Sequence, residues 1–452
     1  MAFSHRSLAP NGVRGDEHSD AHPCVMFERP RMILISNALV FTGQGMKQRD
    51  VLIDGETVTE VGSVSAPSGA SVIDATGMVL GPGLVDLHVH FREPGQEWKE
   101  NIESGSRAAA VGGFTAVVMM PNTIPAIDSE EIAREMIAVG RASGRLDLAV
   151  AGAITAGRRG DSLSEIVGLH RAGVRMFSDD GGCVADRTLL GKAMSFVARL
   201  PGAFIAEHAE DVSLTVGGHM HEGAVSAGHG IAGLPARAEV DVVSRDIDLA
   251  RETGARLHIQ HLSASGSVDL VRDAKFEGLP VTAEVTPHHL ALTDQALSTL
   301  DPNLKMYPPL REASDQLALT EALISGVIDI VATDHAPHAV EDKAVPFEDA
   351  PRGVIGLETA MPLVLEALGG DVATMFERMS VTPARLAAFG RQGRPVAPGE
   401  PANLVLFDPE GRFTPGEFES KSSNSPFLGQ SLQGRVVMTI YEGGIQDEGT
   451  MR

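Results

Sequence analysis

Cysteine is nearly missing from this chain. Only Cys24 and Cys183 occur in 452 residues, far apart and in segments of different character. That excludes a disulfide framework and a CxxC metal cluster, and it fits a reducing cytoplasm. Long apolar runs are missing too. No stretch approaches the ~20 residues that a bilayer span requires, and the opening MAFSHRSLAP has no basic segment leading into a hydrophobic one, so neither a membrane helix nor a secretion signal is read. Positive charge is the third shortage: 37 Lys and Arg stand against 60 Asp and Glu, a formal net charge of −23. Such a field opposes nucleic acid and anionic membranes as partners, and a site for an anionic ligand has to supply its own cations.

What is present is globular in character, with 43% hydrophobic and 21% charged residues. The length allows one large domain with a smaller companion. Residues 1–31 are polar and aperiodic and read as a disordered leader, or as the product of a start placed upstream of a true beginning at Met32. From there MILISNALVF, RDVLIDGETVTEVG and SVIDATGMVLGPG are short β-rich runs broken by DG, TG and GPG turns. The texture returns in ANLVLFDPEG and GRVVMTIYEGG. Residues 32–83 and 389–452 are therefore expected to share one small β-sandwich.

Across 84–388 apolar strands alternate with longer Ala-rich helical stretches, the pattern of repeated βα units on a parallel sheet. Eight strands are read: GLVDLHVH, FTAVVMMP, LDLAVAGAI, GVRMFSDD, AFIAEHA, ARLHIQHLS, PVTAEVTP and IDIVATDHA. Eight closes a (β/α)8 barrel, with an open doubly wound sheet as the structural alternative. The fold class is thus α/β, a TIM-type barrel carrying the small β domain.

Polar residues fall where that barrel has its mouth. His88 and His90, Asp179 and Asp180, His208, His261 and Asp334 all sit at or near strand ends. The HVH spacing sends both imidazoles to one face of a strand, so both reach one ion. A lone HxH carries little weight; the series around the mouth carries much more. Imidazoles mixed with carboxylates favour zinc among borderline divalent ions, and the donor count exceeds what one catalytic zinc takes, which points to two ions. Such a pair turns water into a nucleophile at neutral pH and polarises a carbonyl, the chemistry of amide or ester hydrolysis. Asp334, opening TDHAPH, suits a general base. Arg92 and Asn122 suit a substrate carboxylate. His338 and Arg352 lie on a long loop after the eighth strand, of a kind that closes over sites. His288 and His289 are read as groups that steady ligands rather than as ligands.

Together, DLHVHFREPG, TAVVMMPNT, MFSDDG, EVTPHHL, YPPLRE and ATDHAPH resemble the dihydroorotases, in particular the long bacterial class I type, over nearly the whole chain from Met32. The resemblance implies reversible interconversion of L-dihydroorotate and N-carbamoyl-L-aspartate in pyrimidine synthesis. It implies one zinc on His88, His90 and Asp334, another on His208 and His261, and Asp180 between them. Relatives of the hydantoinase and allantoinase type use a carboxylated lysine as the bridge, and MFSDDG contains none. His90, Arg92 and Asn122 match the grip on substrate, and His338, Arg352 and Gly353 the substrate loop. Two positions depart from the pattern: Tyr307 replaces the Asn of NPPLR, and Arg352 stands where an apolar or small residue is common. The alternatives are a hydantoinase- or allantoinase-like amidase and a noncatalytic scaffold for aspartate carbamoyltransferase. A homo-oligomer, alone or with that transferase, is the expected assembly.

Overall fold

The computed structural model describes residues 32–43 and 45–448; the expected leader over 1–31, with Cys24, lies outside them. Strands and helices alternate in a mixed α/β arrangement. All eight segments read above contain a strand: Leu84–Val89, Phe114–Met119, Asp147–Val150, Met176–Phe177, Phe204–Glu207, Leu257–Ile259, Val281–Val285 and Ile330–Val331. They run parallel, the first three in one sheet and the last five in another. Parallel bridges link the two sheets at both edges, Gly152 to Phe177 and Val89 to His335. Every residue of Leu84–Val89 and of Phe114–Met119 is buried, as strands covered on both faces require.

Helices between these strands begin where the sequence offers a cap. Asn101 accepts the Ser104 N–H ahead of Ile102–Val111, and Asp186 accepts those of Thr188 and Leu189 ahead of Arg187–Val197. Their buried faces, such as Ala108, Ala109, Leu190 and Met194, join the apolar layer around Phe114 and Phe177.

Strands from the two ends of the chain share a separate, eight-stranded sheet. Val79–Pro82 is its seam, antiparallel to Leu404–Phe413 and parallel to Met32–Phe41. A separate core of Ile33, Ile35, Leu80, Leu406 and Ile440 holds it together. Polar contacts fix it to the parallel region: Gly83 N–H donates to Asn403 O at 2.9 Å, and Thr439 Oγ1 to Ala110 O at 2.6 Å. The strand Leu84–Val89 therefore leaves the mixed sheet already anchored.

Candidate metal centre

The polar residues lie at or just beyond the carboxyl ends of the parallel strands, His88 within the first and His90, His208 and His261 past theirs. Asp86 ties the first strand to the eighth: its carboxylate accepts the N–H of His88 at 3.0 Å and that of Thr333 at 3.1 Å. This brings Asp334 beside His88 and His90. Arg158 holds the turn that carries Asp180 by donating to the carbonyls of Asp179 and Asp180. The Asp179 side chain faces away and accepts the Ile154 and Thr155 N–H groups at 2.8 and 3.0 Å. Arg92, Arg158, His261 and Asp334 are non-glycine residues with φ of 61°, 55°, 31° and 47°. Backbone in this region costs energy that surrounding structure must offset, and four of the eight such residues among the described ones lie at this centre.

The donor atoms converge. Ligand atoms of His88, Asp180 and His261 lie within 4.8 Å of one another, as do those of His88, His90 and Asp334. His208 Nδ1 is 2.9 Å from His261 Nε2 and 3.7 Å from Asp180 Oδ1. All six residues predicted as ligands are thus brought together.

Their hydrogen bonding fits a cation. His88 Nδ1 meets the Glu284 carboxylate at 2.7 Å and is the protonated nitrogen of that ring. Its Nε2 lone pair then faces Asp180 Oδ1 at 3.3 Å and Asp334 Oδ1 at 3.5 Å. His88 Nε2 and Asp180 Oδ1 are buried with no hydrogen-bond partner among the described residues. Likewise His90 Nδ1 meets Asn122 Oδ1 at 2.9 Å, which turns its Nε2 toward Asp334 Oδ1, also at 2.9 Å. Buried lone pairs facing carboxylates are costly unless positive charge stands between them. The field that calls for a cation at this point also favours a proton on His88. Burial drives the His88 pKa down, but Asp180, Glu284 and Asp334 outweigh it and hold it well above the ordinary value. Burial likewise opposes the charge on Asp334, yet His88 and His90 hold its carboxyl below the usual range. Imidazole and carboxylate donors in this number suit borderline divalent metals.

A cavity of about 500 Å³ opens above these donors, and all seven residues expected to touch substrate line it. Arg92 supplies cationic charge: burial lowers its pKa only to about 10. Lys305 and His219, which the sequence reading passed over, line it too. Burial and Arg352 lower Lys305 to about 8, and its ammonium donates to the carbonyls of Phe347 and Glu348 at 2.8 Å each. His338 Nε2–H donates to Arg352 O at 2.8 Å. Burial, with Arg92 nearby, lowers the His338 pKa to about 3, so this ring is neutral. Gly353 has φ 128°, and a Cβ there would stand 2.8 Å from Ala336 Cβ.

A family model described as dihydro-orotase-like matches residues 77–267. The dihydroorotase of Streptomyces coelicolor is 47% identical over 418 residues, covering 91% of this chain and 97% of that protein. The dihydroorotase of Mycobacterium tuberculosis is 46% identical over 416 residues, covering 89% and 95%. The chain belongs to the dihydroorotase family. Among solved structures it resembles the L-hydantoinase (dihydropyrimidinase) of Arthrobacter aurescens, with TM-score 0.80 and 26% identity over 91% of this chain and 95% of that one. The dihydropyrimidinase of Brevibacillus agri NCHU1002 gives 0.78 and 27% over 92% and 94%.

In this dihydroorotase-family chain the two departures from the family's usual pattern touch each other. The Arg352 guanidinium lies 4.0 Å from the centre of the Tyr307 ring, which also packs on His208 with centroids 4.8 Å apart. His289 bonds Thr286 Oγ1 at 2.7 Å and Pro308 O at 3.1 Å, which supports the Tyr307 segment rather than the metal donors. His288 is buried beside the centre, and burial lowers its pKa to about 4. Glu284 was missed by the sequence reading. Its one trace in the sequence is a charged residue inside the apolar run PVTAEVTP, which marks the position without assigning it a role.

Proposed function

We propose that this chain interconverts L-dihydroorotate and N-carbamoyl-L-aspartate. The observation that carries the reading is the pair of buried, unpartnered donors His88 Nε2 and Asp180 Oδ1, converging with His90 and Asp334 beneath a cavity that also holds Arg92. Two divalent ions, zinc by donor chemistry, would be held by His88, His90 and Asp334 and by His208 and His261, with Asp180 reaching both. When bound, such ions generate a nucleophile from water at neutral pH and polarise the ring amide carbonyl.

The protein's own groups do the rest. Arg92 and the Asn122 amide nitrogen hold the substrate carboxylate, since Asn122 Oδ1 is already engaged by His90. Asp334, kept ionised, accepts the proton of the attacking water as the new C–O bond forms. It returns that proton to the ring nitrogen as the C–N bond breaks. Neutral His338 and the backbone around Gly353 complete the rim of the cavity.

The eight parallel strands are read as a closed barrel, supported by the bridges Gly152 to Phe177 and Val89 to His335. The division we propose runs 32–83 and 389–448 for the domain of the mixed sheet, whose segment between Phe413 and Leu432 crosses to the parallel region, and 84–388 for the barrel. The test is turnover of dihydroorotate beside hydantoin and allantoin by the metal-reconstituted protein. Dihydroorotate is expected to give the highest kcat/KM; a larger value for hydantoin would replace this reading with a hydantoinase one.

A further inference from the structure

The C-terminal segment between Leu404–Phe413 and Leu432–Tyr441 does not stay with the mixed sheet. Ser420, Ser422, Asn424, Ser425 and Phe427 are all buried. Ser422 Oγ donates to Lys99 O at 2.8 Å, and Glu358 accepts the Ser420 N–H at 3.1 Å, so the segment is strapped across the parallel region beside the cavity.

Asn424 lies at the centre of this strap. Its Oδ1 accepts the His338 N–H at 3.0 Å, and its Nδ2 donates to Ala336 O and to Gly353 O, each at 3.1 Å. Its own carbonyl accepts the Ile355 N–H at 3.1 Å. One side-chain amide therefore uses its acceptor and both donors on two separate stretches of chain, 336–338 and 353–355. From the opposite side Arg92 Nε donates to Pro337 O at 3.2 Å. Three consecutive residues are pinned between Asn424 and Arg92, and both stretches line the cavity.

We propose that Asn424 is a positioning residue for substrate. It touches neither the cavity nor the metal donors, and it sets the spacing between the His338 and Gly353 arms. The proposal rests on the dihydroorotase reading. A buried amide whose three bonds all end on the binding loop acts on the placement of that loop. Loss of those bonds misplaces groups that hold substrate while the proton-transfer group Asp334, fixed through His90 and Thr333, stays where it is.

The test compares wild type, Asn424→Ala, Asn424→Asp and Ser422→Ala, each loaded with zinc. Asp keeps the size and the acceptor while setting a carboxylate against two carbonyls. Asn424→Ala is expected to raise KM for dihydroorotate about tenfold or more with kcat within about threefold and metal stoichiometry unchanged, and Asn424→Asp to do the same more strongly. Ser422→Ala loses a strap contact that does not reach either arm, and its KM is expected to match wild type. Amide hydrogen exchange over 336–355 is expected to accelerate in both Asn424 variants. An unchanged KM with unchanged exchange overturns the proposal. So does a kcat loss in step with metal loss, and so does equal behaviour of Ser422→Ala. If Asn424→Ala does not fold, Asn424→Asp decides by the same measures. Absence of dihydroorotate turnover in wild type defeats the proposed function instead, and the exchange measurement still judges the clamp.

Discussion

His88 and Glu284 meet at 2.7 Å with no side-chain surface exposed on either. The same carboxylate accepts His258 Nε2–H at 3.0 Å and the His261 N–H at 3.2 Å, so it orients one metal donor through its ring and another through its backbone. Partners of this sort fix the tautomer of a ligating imidazole, and their loss commonly weakens metal binding ~10–100-fold. Glu284→Gln is therefore expected to weaken zinc affinity by that order in a chelator competition, without changing the number of ions bound at saturation. An affinity equal to wild type would show that the His88 tautomer is set by something else.

Asp334 adjoins His88 and His90 at 3.5 and 2.9 Å and lines the cavity, a placement it shares with Asp180. Asp334→Ala is expected to abolish measurable turnover of dihydroorotate, a loss of at least ~10²–10⁴ in kcat. Some zinc remains, because His88, Asp180 and His261 still converge. Full activity of this variant would rule Asp334 out as the proton carrier; steady-state kinetics beside metal analysis provides the answer.

The sequence was most legible where chemistry and periodicity coincide. His90 and His208 stand one residue past their strands and His261 two past its own, and alternating apolar runs located all eight strands. Groups that act through other groups were harder to see. Glu284 is a lone acid inside a strand, with no spacing that distinguishes a support for His88 from an outward-facing surface charge. Asn424 lies 71 residues from Gly353 and 86 from His338. Long-range contacts of that kind leave no local pattern, because they depend on how the C-terminal strap crosses the parallel region. Arg158 was hidden for the same reason: its bonds go to main-chain carbonyls, which carry no residue signature.

Tyr307 and Arg352 are expected to act as a pair. A guanidinium over a tyrosine ring contributes ~0.5–2 kcal/mol according to its exposure, and Tyr307 also leans on His208. Tyr307→Asn is expected to leave kcat for dihydroorotate nearly intact and to change KM. Arg352→Ala is expected to change KM in the same direction. The double variant should fall short of the sum, since either single change already breaks the contact. Additive effects of the two in a double-mutant cycle would mean that they contact the ligand independently.

Glu358 gives the stability of the strap a pH dependence. Burial pushes its carboxyl up to about 8, against the bonds it accepts from the N–H groups of Ser420 and Glu419 at 3.1 Å each. The folded chain therefore holds a proton that an unfolded chain, with a glutamate pKa near ~4.3, releases. Between those two values the folded state binds more protons, so stability is fully present below about pH 4 and is lost as pH rises through about 8. Glu358→Gln keeps an acceptor for the strap and removes the titration. Its Tm is expected to fall less than that of wild type between pH 5 and pH 9, by a margin on the order of several °C. Parallel curves for the two proteins in a thermal-unfolding series would show that Glu358 does not titrate in this window.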